Sequence, residues 1–561
     1  MAYEPAVADG QQIELDPVSR VTGALALHGV AAAGGQVRDA VVSANTYRGY
    51  ERLLEDRDVR DAIFISSRAC GVCGGAHATC SALALEMTFE IRPPQFGITI
   101  RNVLSALESL TDHPGHLFVQ AGPDFSEPVV RATNPELWTR AEATPAAGHA
   151  THGLRRVSDI MTALTRFTGY LYRESLVMSR IAREAYVIMG GKYPHPQTIV
   201  PGGISSTVDA SDLNLALLRI VKFLDYSRKV AAVWDDVVDF LYAANPRYSE
   251  VGAGPANFVD LGMWDDAEAY DGTYENSAAW GEMRWSTPGA VLDGRLQTTN
   301  LQEIDTHIEE FVGHSFYEDW VGSGPPLLTV DPIGNPLSPR HPWNKRTLPQ
   351  PGTPDTRGRH TWSTAPRWRN QPMETGAGAR LWITALANKL PNRGFLDPTG
   401  RSLRFGMPQA ALPEAELEWH VPDTWNALER NRARAYSLVH ATLAAYENVL
   451  IAFDLARIGG PEAGIFNHYE IPKDHVIGVG YWGGARGYIS HHVEVDARVI
   501  RNYQIVAPTT FVASPRDGSG AAGPLDQAVM ATPSLASQGG SYIDVLRAIR
   551  SFDPCMSCAT H

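Results

Sequence analysis

Apolar and polar positions alternate between residues 13 and 50, in Ala24-Leu-Ala-Leu-His28 and again from Val37 to Val42. A period of two around Gly34-Gly35 predicts a β-hairpin or small sheet. The acidic run from Glu51 through Asp61 then predicts a short helix. Ala76 to Met87 follows Gly74-Gly75 and consists of good helix formers. Ile98 to Leu110, Leu154 to Met189, Asp209 to Ala244 and Asp423 to Ile458 keep the helical period. Their start and stop signals are Thr207 or Asp209, Pro422-Asp423, Gly190-Gly191, Asn245-Pro246 and Gly459-Gly460. Met263 to Thr298, rich in Trp, Tyr, Gly and Asp, predicts short strands and loops. Pro325 to Pro372 has no sustained period, but Trp343, Trp362 and Trp368 predict an ordered, extended wrap. Residues 476–512 are β-prone, and Leu546 to Ser551 leads into the C-terminus. The fold class is mainly α with peripheral β (α+β), around a central helical bundle.

Composition narrows the function classes. With 561 residues, 44% of them apolar, the chain can bury a large core. No internal repeat or low-complexity linker divides it, so residues 1–561 are expected to form a single domain. A net charge of −14 with acids and bases interspersed argues against nucleic-acid binding. No run of apolar residues approaches the roughly 18–20 of a membrane span. Met1 to Pro5 lacks the basic and apolar regions of a secretory signal. Five cysteines, four in pairs and one over, suit a reducing compartment better than a disulfide framework. The expected location is cytoplasmic, with any membrane association arising through partners.

The pairs are Cys70/Cys73, in Arg68-Ala-Cys-Gly-Val-Cys-Gly-Gly-Ala-His77, and Cys555/Cys558, in Asp553-Pro-Cys-Met-Ser-Cys-Ala-Thr-His561. Two intervening residues let both sulfurs of a pair face one metal. Local zinc ribbons close their second pair within roughly 15–20 residues, whereas these pairs lie at opposite ends of the chain. Such a site forms only when the N- and C-termini meet, at a buried metal. Cys73 falls at the start of the expected helix, where the helix dipole favours a thiolate. His77 shares its face and could donate a hydrogen bond to the Cys73 sulfur or be a core histidine bonded to a carbonyl. Cys80 rises roughly 10 Å further at 1.5 Å per residue, which suits a small buried hydrophobe. In isolation the two pairs would also suit a zinc or iron tetrathiolate. His113 and His116 could likewise be ligands or satisfied core histidines.

These motifs resemble those of the large, catalytic subunit of nickel–iron hydrogenases. Asp16-Pro-Val-Ser-Arg20, Tyr47-Arg-Gly-Tyr-Glu51, Gly190-Gly-Lys-Tyr-Pro-His-Pro196, Thr361-Trp-Ser-Thr-Ala-Pro-Arg367, Ala485-Arg-Gly487 and Asn502-Tyr-Gln-Ile-Val-Ala-Pro-Thr509 match further family elements, in family order. The resemblance implies heterolytic oxidation of H2 to protons and electrons, the electrons leaving through an obligate iron–sulfur small subunit. It implies Cys70 and Cys555 terminal on nickel, with Cys73 and Cys558 bridging to an iron that carries one carbon monoxide and two cyanides. It places Arg486, preceded by Ala485, above the metals, Asp112 near them, and the Thr509 hydroxyl, after Pro508, on a cyanide. It also implies a magnesium held by Glu51, the Ile505 carbonyl and His561. Heterodimers could assemble further. Family precursors are cut after the terminal histidine, so a processed chain ending at His561 is expected.

Two departures stand out. The family's R-I-E-G-H carries a proton-relaying glutamate where this chain has Thr22, and its A-P-R-G turn is here Gly484-Ala-Arg-Gly487. An alcohol is too weak a base to replace the carboxylate, so Glu14, on the same segment, is either the candidate relay, semi-buried and with a raised pKa, or a solvated strand glutamate. Both departures resemble the high-affinity, oxygen-insensitive actinobacterial-type branch, which implies oxygen tolerance. The alternative within the family is a hydrogen-sensing regulatory subunit with low turnover. The related quinone-site subunit of respiratory complex I lacks the cysteine ligands retained here.

Overall fold

The computed structural model describes residues 10–32, 36–322, 326–390, 394–536 and 542–561. The expected turn at Gly34-Gly35, the first proline of the expected wrap, Pro325, and Met1 to Pro5 lie outside these residues. The alternating N-terminal stretch forms an antiparallel sheet of β1 (Gln12–Leu15), β2 (Leu25–Ala31) and β3 (Val37–Ala44). The body is a bundle of α1 (Gly74–Phe89), α2 (Gln95–Pro114), α3 (Tyr170–Gly190), α4 (Ala210–Ala244) and α5 (Ala427–Ile458). Helix α5 packs along α2 and α4, and α2 packs on α3. Leu104, Leu107 and Leu110 of α2 and Leu438, Val439 and Leu443 of α5 are wholly buried. Each such side chain contributes about 1.5–3 kcal/mol of transfer free energy. The β-prone region becomes β4 (Val476–Gly484), β5 (Gly487–Asp496) and β6 (Val499–Val506), an antiparallel sheet laid over α1.

Three elements differ from the sequence expectation for local reasons. The apolar period of 154–189 breaks into a helix over Val157–Ala163 and α3. At Gly169, in the break, an added Cβ would fall 2.2 Å from the Ala163 carbonyl oxygen, so the chain crosses its own backbone there. Helix α2 does not end before Pro114. It runs on into a wider, π-type turn over Gly115–Ala121, and proline's missing N–H removes one i−4 bond at the junction. Helix α5 is long and apolar enough to cross a membrane by length and composition alone, yet most of it is buried within the protein. It also buries Arg430, Asn431, Arg434 and His440, each against protein. The helix Ala377–Ala387 and the antiparallel sheet of Leu396–Pro398, Ser402–Met407 and Ala415–His420 had no counterpart in the expectation. The tryptophan series does order its segment, since Trp343 and Trp368 are buried.

The chain ends meet in a separate apolar cluster. Ile13, Leu25, Leu27 and Val42 of the N-terminal sheet pack with Val545 and Ile549 of α6 (Ile543–Ser551), and with Phe552 and Met556 beyond it. Thr22 pairs with Cys555 as a parallel bridge. The Thr22 N–H donates to the Pro554 carbonyl at 3.2 Å, and the Met556 N–H to the Thr22 carbonyl at 2.8 Å. Gly23 makes this approach possible: its φ is +87°, and a Cβ would stand 3.1 Å from that of Met556.

A candidate metal centre

The four paired cysteines are buried and unbridged, and their sulfurs all lie within 4.8 Å of one another. Sγ of Cys70 is 3.4 Å from that of Cys555, Cys73 is 3.2 Å from Cys558, and Cys555 is 3.1 Å from Cys558. These separations are too long for disulfides, whose sulfurs stand about 2.05 Å apart. The N–H groups of Val72 and Cys73 donate to Cys70 Sγ at 3.3 and 3.1 Å. Surrounding S–H groups, then the Arg486 guanidinium, hold the Cys555 thiol well below its ordinary pKa. Four soft donors facing one another in a dry interior fit a thiophilic metal. Cys80 stands apart, its thiol donating to the Gly480 carbonyl at 3.2 Å.

Arg486 occupies the two-residue turn between β4 and β5, beside Ala485. Its Nη1 donates to Asp112 Oδ2 at 2.9 Å, and its Nε lies 3.0 Å from Asp553 Oδ2. Arg434 approaches the same Asp553 oxygen at 3.1 Å and donates to the Ala485 carbonyl at 3.3 Å. His116 Nδ1 reaches Asp553 Oδ1 at 3.4 Å. Burial raises Asp112 to about 6 against the pull of Arg486, whereas its cationic neighbours hold Asp553 far below the carboxylate range despite burial. The guanidinium is therefore fixed by two carboxylates beside the sulfurs. Asp553 and Arg434 were not singled out from the sequence, although Asp553 stands inside the D-P-C-x-x-C motif.

Pro508 opens a short helix over Pro508–Val512. Thr509 Oγ1 accepts the Cys555 N–H at 2.9 Å, which leaves its own hydroxyl hydrogen for another acceptor. His77 differs from expectation. Tyr503 donates its hydroxyl to Ser81 Oγ at 2.7 Å, so it accepts from His491 Nδ1 at 2.7 Å. His491 Nε2 is then an acceptor for the Nδ1–H of His77 at 3.0 Å. His77 Nε2 remains a bare lone pair without a protein partner. The ring thus presents an acceptor, and the hydrogen bond expected from it to the Cys73 sulfur is not made.

The C-terminus is tied beside this site. Glu51 Oε1 lies 3.2 Å from His561 Nε2 and 3.2 Å from Lys345 Nζ, and it accepts the Ile505 N–H at 3.0 Å. In an extended strand a residue's N–H and C=O leave on the same edge, so the Ile505 carbonyl faces this carboxylate as well. His561 Nδ1 donates to the Cys558 carbonyl at 2.5 Å, which turns its Nε2 towards Glu51. A proton on Nε2, or a metal ion in its place, joins the two groups across 3.2 Å. Burial opposes ionisation of Glu51, but Lys345 and His561 outweigh it and hold the carboxyl down to about 2. Lys345 is shared with Glu310 at 3.2 Å. Neither Lys345 nor Glu310 carried a signal in the sequence.

Glu14 does not reach the site as the semi-buried carboxylate expected beside Thr22. It faces His28 across β1 and β2 and is exposed, because strand alternation turns Ile13 into the core and Glu14 to solvent. Asp305, His341 and His492 form a second buried convergence, again within 4.8 Å. There the His341 Nδ1 accepts the Trp343 N–H at 3.3 Å, so its Nε2 carries a proton and donates to the main-chain carbonyl of Asp305 at 3.1 Å. His492 Nε2 and the Tyr481 hydroxyl approach the Asp305 carboxylate at 2.9 and 3.2 Å. The triad is tied by hydrogen bonds to both the carbonyl and the carboxylate of Asp305, with His492 Nδ1 left without a protein partner.

A family model described as nickel-dependent hydrogenase matches residues 48–167 and 158–561. The uptake hydrogenase large subunit of Rhizobium leguminosarum bv. viciae is 28% identical, over 98% of this chain and 95% of its own. The periplasmic [NiFeSe] hydrogenase large subunit of Desulfomicrobium baculatum is 28% identical over 99% and 96%. Among solved structures, the actinobacterial-type NiFe-hydrogenase from Ralstonia eutropha H16 superposes with a TM-score of 0.95. It is 38% identical, covering 98% of this chain and all of that one.

Proposed function

The chain belongs to the nickel-dependent hydrogenase family, and from that premise we propose that it is the catalytic subunit in which a nickel–iron pair held by Cys70, Cys73, Cys555 and Cys558 oxidises H2 to two protons and two electrons. The observation that carries the proposal is the meeting of four buried sulfurs from opposite chain ends under the doubly anchored Arg486. When bound, the metals supply a Lewis-acidic, redox-active centre at which H2 is cleaved. The residues supply the rest. Cys70 and Cys555 would hold nickel, and Cys73 and Cys558, whose sulfurs stand 3.2 Å apart, would hold nickel and iron together. Carbon monoxide and two cyanides complete the iron, and the free hydroxyl hydrogen of Thr509 suits a cyanide nitrogen. Arg486, unable to drift because Asp112 and Asp553 hold it, presents positive charge over the open position.

The convergence of the Glu51 carboxylate and His561 Nε2 at 3.2 Å, with the Ile505 carbonyl on the same edge, supports a magnesium ion, for which an oxygen-rich, partly hydrated shell is suitable. An iron–sulfur small subunit is the partner. All four paired cysteines serve one site and Cys80 bonds to a carbonyl, leaving no cysteine to carry electrons away. Oxygen tolerance, a cytoplasmic location and a higher assembly of heterodimers complete the proposal. Infrared spectra of the purified heterodimer, with nickel analysis and H2-dependent dye reduction, test it. Carbon monoxide and cyanide bands with about one nickel per large subunit are expected. A zinc-loaded chain without those bands would overturn the assignment.

A further inference from the structure

The departure at Thr22 leaves open which group passes protons between the cysteines and solvent. Such a group must lie close to the sulfurs and must be able to hold a proton near neutral pH. A carboxylate in contact with a cation is poorly suited, because the cation stabilises its ionised form. Of the buried carboxyls described around the cysteines, Asp553 contacts Arg486 and Arg434 and Glu51 contacts Lys345, and Asp112, though raised to about 6 by burial, has its Oδ2 committed to Arg486. Glu108 has no cation in contact, and its Oε1 has no partner at all. It projects from α2 one turn before Asp112, towards the start of α1. A Cβ on Gly75, two residues beyond Cys73, would stand 2.7 Å from Glu108 Oε2 and 2.6 Å from the Tyr186 hydroxyl. The carboxyl and the phenol therefore converge on bare backbone beside the first cysteine pair. The Tyr186 hydroxyl is also unpartnered.

We propose that Glu108 is the carboxyl that passes protons between the four-cysteine site and the surface loop after α3, with Tyr186 as the next group outward. This rests on the hydrogenase reading, which makes protons a product at the cysteines. A neutral carboxyl has a donor on one oxygen and an acceptor on the other. It takes a proton from the cysteine side on its bare oxygen and releases the one it held to the Tyr186 oxygen. Tyr186 passes its own hydroxyl hydrogen outward to water at the loop after α3. Each group ends with the number of protons it began with, and no electrons move. The Tyr186 ring meets that of Tyr193 edge-on at 5.2 Å, and the loop emerges at Gly191 and Lys192, which are exposed.

The electrostatic setting agrees. Burial, then the charges of Asp112 and Cys70, pushes Glu108 well above the carboxylate range, while Arg486 and the Gly75 N–H pull the other way. The remaining faces are Tyr186 and Tyr193, neutral phenols whose ionisation is pushed far up, chiefly by burial.

The experiment is Glu108→Gln in the assembled heterodimer, a change that keeps the size and removes the acid. Positioned acid–base groups contribute about 10²–10⁴ in rate, so H2-dependent dye reduction should fall by about 100-fold or more. The nickel content and the carbon monoxide and cyanide bands should be those of the wild type. A deuterium-sensitive carboxylic-acid band in the infrared should disappear with the substitution, which a merely structural role would not cause. Tyr186→Phe should lower turnover less, by about tenfold, with the acid band retained. If Glu108→Gln does not assemble, Glu108→Asp, which keeps an acid one carbon shorter, should retain the acid band and part of the turnover. Turnover near wild type in Glu108→Gln, or an acid band unchanged by it, would overturn the proposal. Absence of the metal-ligand bands from the wild type would instead overturn the reading beneath it.

Discussion

Two places among the described residues gather metal-ligand side chains in a dry interior, and they are built in opposite ways. At Asp305, His341 and His492 donors meet acceptors: Trp343 N–H to His341, His341 to the Asp305 carbonyl, His492 and Tyr481 to the Asp305 carboxylate. At the cysteines, four sulfurs converge at 3.1–3.4 Å with only thiol hydrogens between them, and loss of those hydrogens leaves four soft ligands facing one another. The tie beside them sets His561 Nε2 against the Glu51 carboxylate at 3.2 Å, joined by a proton or by a metal ion in its place. Proximity of ligand types is thus common to both places, and the direction of the protons separates them. Thiols that lose their hydrogens leave converging soft ligands for a cation, while the histidine and tyrosine hydrogens around Asp305 are already committed to its oxygens.

The sharpest way to break this comparison is to remove one member from each place. Cys555→Ser should abolish nickel retention and lower H2 oxidation by more than about 10³-fold, since a hydroxyl is a hard, weakly acidic replacement for a thiolate. Elemental analysis and dye reduction measure both. Asp305→Asn should leave nickel content unchanged and instead destabilise the fold by about 3–5 kcal/mol, because the donors around it lose a buried anion. Nickel loss in Asp305→Asn, with the fold intact by circular dichroism, would show that the triad is a metal site after all.

Glu51→Gln should have a smaller effect, about 2–3 kcal/mol, by weakening the contacts with Lys345 and His561. The sign in pH follows from a depressed folded pKa of about 2 against an ordinary value of 4.5. This stabilisation is complete above about pH 4.5 and is lost as pH falls towards 2. Denaturant midpoints of wild type and variant should therefore converge across that window. Equal spacing of the two curves from pH 7 to pH 2 would rule out the ionised carboxylate as the source. Glu14→Gln should do least, within about 0.5 kcal/mol and with turnover near wild type, as expected for an exposed strand position. A large loss of turnover there would return the proton exit to β1.

The cysteine pairs were legible because their geometry is local: two intervening residues bring two sulfurs together whatever surrounds them. Arg486 was legible only through the resemblance of Ala485-Arg-Gly487 to a family motif, since a lone arginine in a turn carries no signal. Arg434, Lys345 and Glu310 were not. Arg434 lies within the apolar period of α5 and reads as an ordinary helix charge until Asp553, at the far end of the chain, comes to meet it. Glu108 was hidden in the same way inside α2. The strand period placed Glu14 on the right element, yet the choice of face, core for Ile13 and solvent for its neighbour, belongs to the packing of β1 on the terminal cluster.

The sequence by itself determined the helical bundle, the N-terminal and C-terminal strands, the four ligands and the requirement that the chain ends meet. Each depends on spacing within one short segment, and backbone geometry converts spacing into direction. Only the tertiary structure decided which way the protons point. His77 became an acceptor because Ser81, Tyr503 and His491 hand a hydrogen-bond direction along to it. Glu108 was left without a cation because Arg486 was already taken by Asp112 and Asp553. Hydrogen-bond polarity and charge pairing are competitions among residues remote in the chain, so they are settled only when all the competitors are in place.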